Sequence, residues 1–160
     1  MIMTHNPEHI LLAAQGYYEL GMVGDALREI DLLSPAWKSK PEVIELRLLA
    51  LMQVHAWSEA LDAGFQLCEA MPDACAGFIH AAFCLHEMQR TEEAKQLLLK
   101  GPSSLHREPV FFYNLACYDA RLGNRDEALE HLQRSFKLDK KFKDFARQDP
   151  DLANLRDALE

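Results

Sequence analysis

Residues 112–132 read FYNLACYDARLGNRDEALEHL. A cysteine, a histidine, a tyrosine and several carboxylates fall within two helical lengths, which at first sight suggests a reactive cluster. The spacing around Ala128 points elsewhere. Ala26, Ala60, Ala94 and Ala128 recur every 34 residues, each preceded by an acid: Asp25, Glu59, Glu93 and Glu127. Six places earlier the chain is always apolar, at Leu20, Val54, Met88 and Leu122. Twelve places earlier stand Ala14, Leu48, Ala82 and Ala116, and sixteen earlier Ile10, Ile44, Phe78 and Phe112. Agreement of these columns without insertion marks an internal repeat, so the stretch is one unit of a scaffold.

Each unit carries apolar residues at helical spacing, as in Ile10, Ala13, Ala14 and Tyr17. Small residues in the Ala14 and Ala26 columns let two helices approach closely. Gly21 and Gly123 suit the turn between them, where positive φ costs glycine little. Pro41, Pro72 and Pro109 lie between units, and Asn6-Pro7 and Asn124 read as helix starts. The pattern predicts an all-α solenoid of helix-turn-helix repeats over about 7–40, 41–74, 75–108 and 109–140. Residues 141–160 form a cap, with Phe142, Phe145 and Ala146 on one stripe and Leu152, Leu155 and Leu159 on a second, separated by Asp149-Pro150-Asp151.

This arrangement resembles the tetratricopeptide repeat (TPR). The fourth unit matches its pattern best, with Phe112 at the first aromatic place, Leu115 at the leucine place, Ala116 at the small place, Gly123 at the turn and Ala128 at the packing alanine. Arg47 departs from it where an apolar residue is the rule, Gly64 where a large one is, and Asp119 takes the tyrosine place. His55 and Gln89 replace the turn glycine. The second unit is the least regular.

Composition narrows the function. The 160 residues suit one domain, and a net charge of −8 argues against nucleic acid as a partner. Residues 1–100 hold 7 basic and 14 acidic side chains, and residues 101–160 hold 10 and 11, so the acidity lies in the N-terminal part. Cys68, Cys75, Cys84 and Cys117 form no C-x-x-C pair and read as reduced thiols, which suggests a cytoplasmic location. No signal peptide or membrane-length apolar run is apparent. Motifs for a nucleophile elbow, a P-loop or a dinucleotide fold are missing. Cys117 and His131 fall on different helices, and His80 with Cys84 supplies two potential ligands on one face, short of a zinc site. The expectation is a protein with no catalytic residue, no metal and no cofactor.

The resemblance implies a groove lined by the first helix of each unit. Its places fall on Leu11, Gln15 and Tyr18, on Leu46, Leu49 and Met52, on Ile79, His80, Phe83 and His86, and on Tyr113, Asn114, Cys117 and Arg121. Glu8, Glu19, Glu42, Glu45 and Glu87 rim the row. The TPR subtype that grips a C-terminal carboxylate needs Lys and Asn where this chain has Leu11, Gln15, Leu46 and His80, so that subtype is not expected. A second candidate surface is the basic end, Arg134, Lys137, Lys140, Lys141, Lys143 and Arg147, suited to an acidic partner. Size and repeat number resemble the small bacterial TPR proteins called bacterial kinesin light chains, which implies a bacterial tubulin-like filament as partner. Alternatives are a secretion chaperone holding an apolar segment in the groove, and a homodimeric structural protein built through Leu49, Met52 and Phe83.

Overall fold

The computed structural model describes residues 6–159. Four pairs of antiparallel helices follow one another: α1 (Pro7–Glu19) with α2 (Val23–Asp31), α4 (Pro41–Gln53) with α5 (Trp57–Ala70), α6 (Cys75–Glu87) with α7 (Thr91–Leu99), and α8 (Pro109–Leu122) with α9 (Arg125–Leu138). A single helical turn, α3 (Pro35–Lys38), joins the first two pairs, and a short 3₁₀ turn (Ser103–Arg107) joins the last two. The first helices of the pairs begin at residues 7, 41, 75 and 109, which is the 34-residue period of the sequence.

The repeated columns explain why the pairs form. Ala26, Ala60, Ala94 and Ala128 are fully buried, and so are Ala14, Leu48, Ala82 and Ala116. The Leu20 column behaves differently: Leu20 is 76% and Val54 52% exposed, because that place falls at the end of the first helix. Pro7, Pro41 and Pro109 open their helices, where the missing N–H has no helical acceptor to lose. Asn6 caps α1 by accepting the Glu8 N–H at 2.9 Å.

The irregular places of the repeat each have a local cause. The turns at Gly21 and Gly123 adopt φ of +75° and +84°, and His55 and Gln89 adopt the same left-handed backbone at 58° and 62° without glycine's freedom. Gly64 is buried where α5 meets α6, and a Cβ there would lie 2.9 Å from that of Ala81, so a larger residue would force the helices apart. Arg47 is half-buried in a cleft of about 300 Å³ with Lys38, Ile30 and Val43. Asp119, in the tyrosine place, is fully buried, with Oδ1 hydrogen-bonded and Oδ2 without a hydrogen-bond partner among the described residues. Lys95 Nζ donates to it at 2.7 Å and Asn124 Nδ2 at 3.0 Å, while His131 Nε2 stands 3.5 Å away. Asn124 therefore spends its amide on Asp119 and makes no side-chain cap for α9. Burial lowers the His131 imidazole pKa below the usual value, with Asp119 opposing the shift.

Beyond the fourth pair, α10 (Lys141–Gln148) ends where Asp149-Pro150 begins a 3₁₀ segment, Pro150–Ala158. Asp149 accepts the Asp151 N–H at 2.9 Å and starts that segment. Leu152, Leu155 and Leu159 are buried and join the main core. Ala146 is buried and Phe142 packs on the same core, but Phe145 departs from its expected stripe and is 61% exposed.

Candidate functional site

Helices α1, α4, α6 and α8 neighbour one another in order and form the inner face of the solenoid. The expected groove residues lie on these helices, and their surroundings divide them in two.

Along α1, α4 and α6 the face is open. Leu11 and Tyr18 are half-buried, Gln15 is exposed, and Leu49, Met52, Ile79, His80 and Phe83 are half-buried. Leu46 differs: it is 7% exposed and belongs to the core that joins α1 and α4, packed with Ile10, Ala14 and Val43. Trp57, at the start of α5, packs edge-on to Phe83 with ring centres 5.8 Å apart and continues the row. Glu8, Glu19, Glu42 and Glu87 are exposed along the rim, and Glu45 is half-buried. Burial pushes the His80 pKa down, with Glu45 pulling the other way, so His80 leans toward the neutral form despite the carboxylate near it.

Along α8 the face is covered. Tyr113, Asn114 and Cys117 are buried, and so is His86 at the end of α6. The cover is the C-terminal 3₁₀ segment, whose two aspartates reach the groove residues directly. Tyr113 donates its hydroxyl to Asp149 at 2.7 Å, and the Cys117 thiol points at the same carboxylate oxygen at 3.7 Å. His86 Nε2 lies 2.8 Å from Asp151, its Nδ1 lies 3.0 Å from the Thr91 hydroxyl, and Arg121 approaches Asp151 at 3.7 Å. Further along, Arg125 donates to the Asn154 carbonyl at 2.8 Å and to the Asp157 carboxylate at 2.9 Å. Burial, and next the hydrogen bond to Asp149, raise the Tyr113 phenol well above its ordinary pKa. Burial, and next the charges of Asp149 and Asp151, do the same to the Cys117 thiol. Both groups are thereby held protonated and unreactive as nucleophiles.

The repeat register puts Tyr113, Asn114 and Cys117 in the groove but shows Asp149-Pro150-Asp151 only as a helix break. No local pattern announces that these aspartates return to α6 and α8. Cys117 and His131 serve different neighbours, the first at Asp149 and the second at Asp119. Cys117, Asp149 and Asp151 do offer three potential metal ligands within 4.8 Å of one another, but the carboxylates are already engaged by Tyr113, His86 and Arg121. All four cysteines are free.

The basic end is fully displayed. Arg134, Lys137, Lys140, Lys141, Lys143 and Arg147 are all exposed. Arg134 pairs with Glu130 at 2.9 Å and Arg147 with Asp144 at 3.2 Å, and the four lysines have no ion pair among the described residues. Among those residues no helix is long and apolar enough to cross a membrane.

The geometry agrees with solved structures. The chain superposes on a crystal structure of MamA with a TM-score of 0.77 at 16% identity, over 85% of this chain and 80% of that one. MamA residues 41-end from Desulfovibrio magneticus RS-1 give 0.78 at 15% identity, over 89% and 80%. TTC0263, a thermophilic TPR protein of Thermus thermophilus, gives 0.70 at 17% identity, over 98% and 82%. No protein-family model matches the sequence, and no curated protein does. At these identities the likeness is one of fold. The molecule has the fold of a tetratricopeptide-type α-solenoid.

Proposed function

We propose that this protein is a non-catalytic adaptor that binds an amphipathic, basic segment of a partner protein along the open part of its inner face. One observation carries this reading. Leu11, Tyr18, Leu49, Met52, Ile79 and Phe83 form a half-buried row on α1, α4 and α6, with glutamates along its rim. An apolar row is buried when a partner helix or strand lies on it, and the acidic rim selects and steers a basic one. The four free thiols suit the reducing cytoplasm.

The test is a partner captured by cross-linking in the source cell and then titrated against variants. Leu49→Asp places a charge in the middle of the row and is expected to weaken binding at least ~10-fold, about 1.4 kcal/mol. Added salt is expected to slow association. Unchanged affinity in Leu49→Asp refutes the groove as the site.

Lys137, Lys140, Lys141 and Lys143, exposed and without an ion pair among the described residues, favour a second reading, in which the basic end docks on an acidic surface such as a tubulin-like filament. Lys140→Glu/Lys143→Glu is then the damaging variant and Leu49→Asp the harmless one. Self-association through the row would show as a dimer in light scattering, abolished by the same Leu49→Asp.

A further inference from the structure

At the junction between the open and covered parts of the inner face lies a cleft of about 620 Å³. Phe83, Tyr113 and Phe145 supply its aromatic walls, and Glu87, Asp149 and Asp151 its charge. No lysine, arginine or histidine of the described residues lines it. Two of the carboxylates are committed: Asp149 accepts from Tyr113, and Asp151 meets His86 at 2.8 Å and Arg121 at 3.7 Å. Glu87 is exposed and has no ion-pair partner among the described residues. Phe145 is unexplained by the cap's own packing. It is 61% exposed at the mouth of the cleft, touching Phe142 edge-on with ring centres 5.8 Å apart.

We propose that this cleft receives a cationic side chain, an arginine or a lysine, presented by the partner segment that lies along the open groove. The proposal rests on the groove reading and deepens it by naming the anchor residue. The chemistry follows from the walls. Aromatic faces attract a cation through the ring quadrupole, and more strongly where water is partly excluded. A carboxylate without a partner supplies the opposite charge, and two further acids keep the local potential negative. An anionic side chain would be repelled, and an aliphatic one would gain the aromatic walls but leave Glu87 unpaired. A cleft of this size accommodates one long side chain with its methylenes against the rings and its charged end at the carboxylates.

The experiment uses the full chain and small probes of known identity: N-acetyl-arginine amide, N-acetyl-lysine amide and, as a neutral control of similar length, N-acetyl-glutamine amide. Backbone resonances of Phe83, Glu87, Phe145 and Asp151 are followed during titration. The cationic probes are expected to give weak, saturable shifts at these four positions, and the glutamine probe none. Glu87→Gln and Phe145→Ala, both at exposed positions that leave the core intact, are each expected to weaken the response about threefold. Equal shifts from the glutamine probe, or an unaltered response in both variants, overturn the proposal. The two readings fail separately. Loss of partner binding in Leu49→Asp without any cationic response preserves the groove and removes the cleft, while a cationic response with partner binding indifferent to Leu49→Asp preserves the cleft and removes the groove.

Discussion

The α1–α4 part of the inner face and the α8 part are built from the same repeat positions and have opposite fates. Leu11 and Tyr113 share one column of the 34-residue repeat, and Leu49 and Cys117 share another. Leu11 and Leu49 remain half-buried at an open surface, whereas Tyr113 is closed over by chain that comes after the last repeat. The repeat thus determines that a residue faces inward, and the return of residues 149–159 determines whether it is available. The two parts also differ in chemistry. The open part is an apolar row, aliphatic and aromatic, with a glutamate rim, while the covered part is tied by hydrogen bonds and ion pairs through Asp149, Asp151 and Asp157.

That contrast is broken most directly by loosening the cover. Leu155 is fully buried, and Leu155→Ala is expected to remove about 2–5 kcal/mol from the docking of the C-terminal segment. Even the lower figure corresponds to roughly a 30-fold rise in the population of the undocked state. The check is site-resolved thiol modification. Cys117 is expected to react faster in the variant, while Cys84, buried between α6 and its neighbours, keeps its protection. Parallel acceleration of both thiols would mean that the cover and the repeats unfold as one unit, and the contrast between the parts would then be only geometric.

Alkaline pH sharpens the same contrast more gently. Tyr113 and Cys117 both have pKa values raised in the docked state by burial and by the nearby Asp149. Acids with a raised folded pKa contribute full stability below their undocked pKa, and that contribution falls as pH climbs above it. For the thiol the fall begins near the ordinary value of about 8.5, at no more than about 1.4 kcal/mol per pH unit. Amide protection in the 3₁₀ segment, corrected for the intrinsic pH effect, is therefore expected to decline above that point. Cys117→Ala should flatten that decline, and an identical decline in the variant would show that the thiol is not its source.

The parts of this molecule that were legible in the sequence are those fixed by helical period. The 34-residue register put the first helices at the right starts and sent Ala14, Leu48, Ala82 and Ala116 to the core, because burial on a helix repeats with its turn. What stayed hidden depends on contacts between distant residues. Asp149 meets Tyr113 across 36 residues and Asp151 meets His86 across 65. Period says which residues share a face and nothing about what returns to cover it. Asp119 is the same case inside a unit. A carboxylate in a tyrosine's place reads as a defect until Lys95, one unit back, is seen to hold it. Removing Lys95 would leave the buried Asp119 charge without its ion-pair partner.

The smallest effect tests whether the turns follow the repeat or the individual side chain. Gly21 and Gly123 meet the left-handed turn at no steric cost, whereas Gln89 adopts φ of 62° in the equivalent place of the third unit. A non-glycine residue there costs roughly 1 kcal/mol, so Gln89→Gly is expected to raise the unfolding free energy by slightly less than that, because glycine also gains freedom when unfolded. Gln89 is exposed and makes no side-chain hydrogen bond among the described residues, so little else changes. His55→Gly is a less clean companion, since the His55 ring stacks on Trp57 with centres 5.0 Å apart and that contact would be lost. Urea unfolding of both variants distinguishes the outcomes. Stabilisation by Gln89→Gly alone shows a shared backbone cost that His55 offsets through its stacking. No change in either shows that the turn's backbone is set by the packing of α6 on α7 and carries no strain of its own.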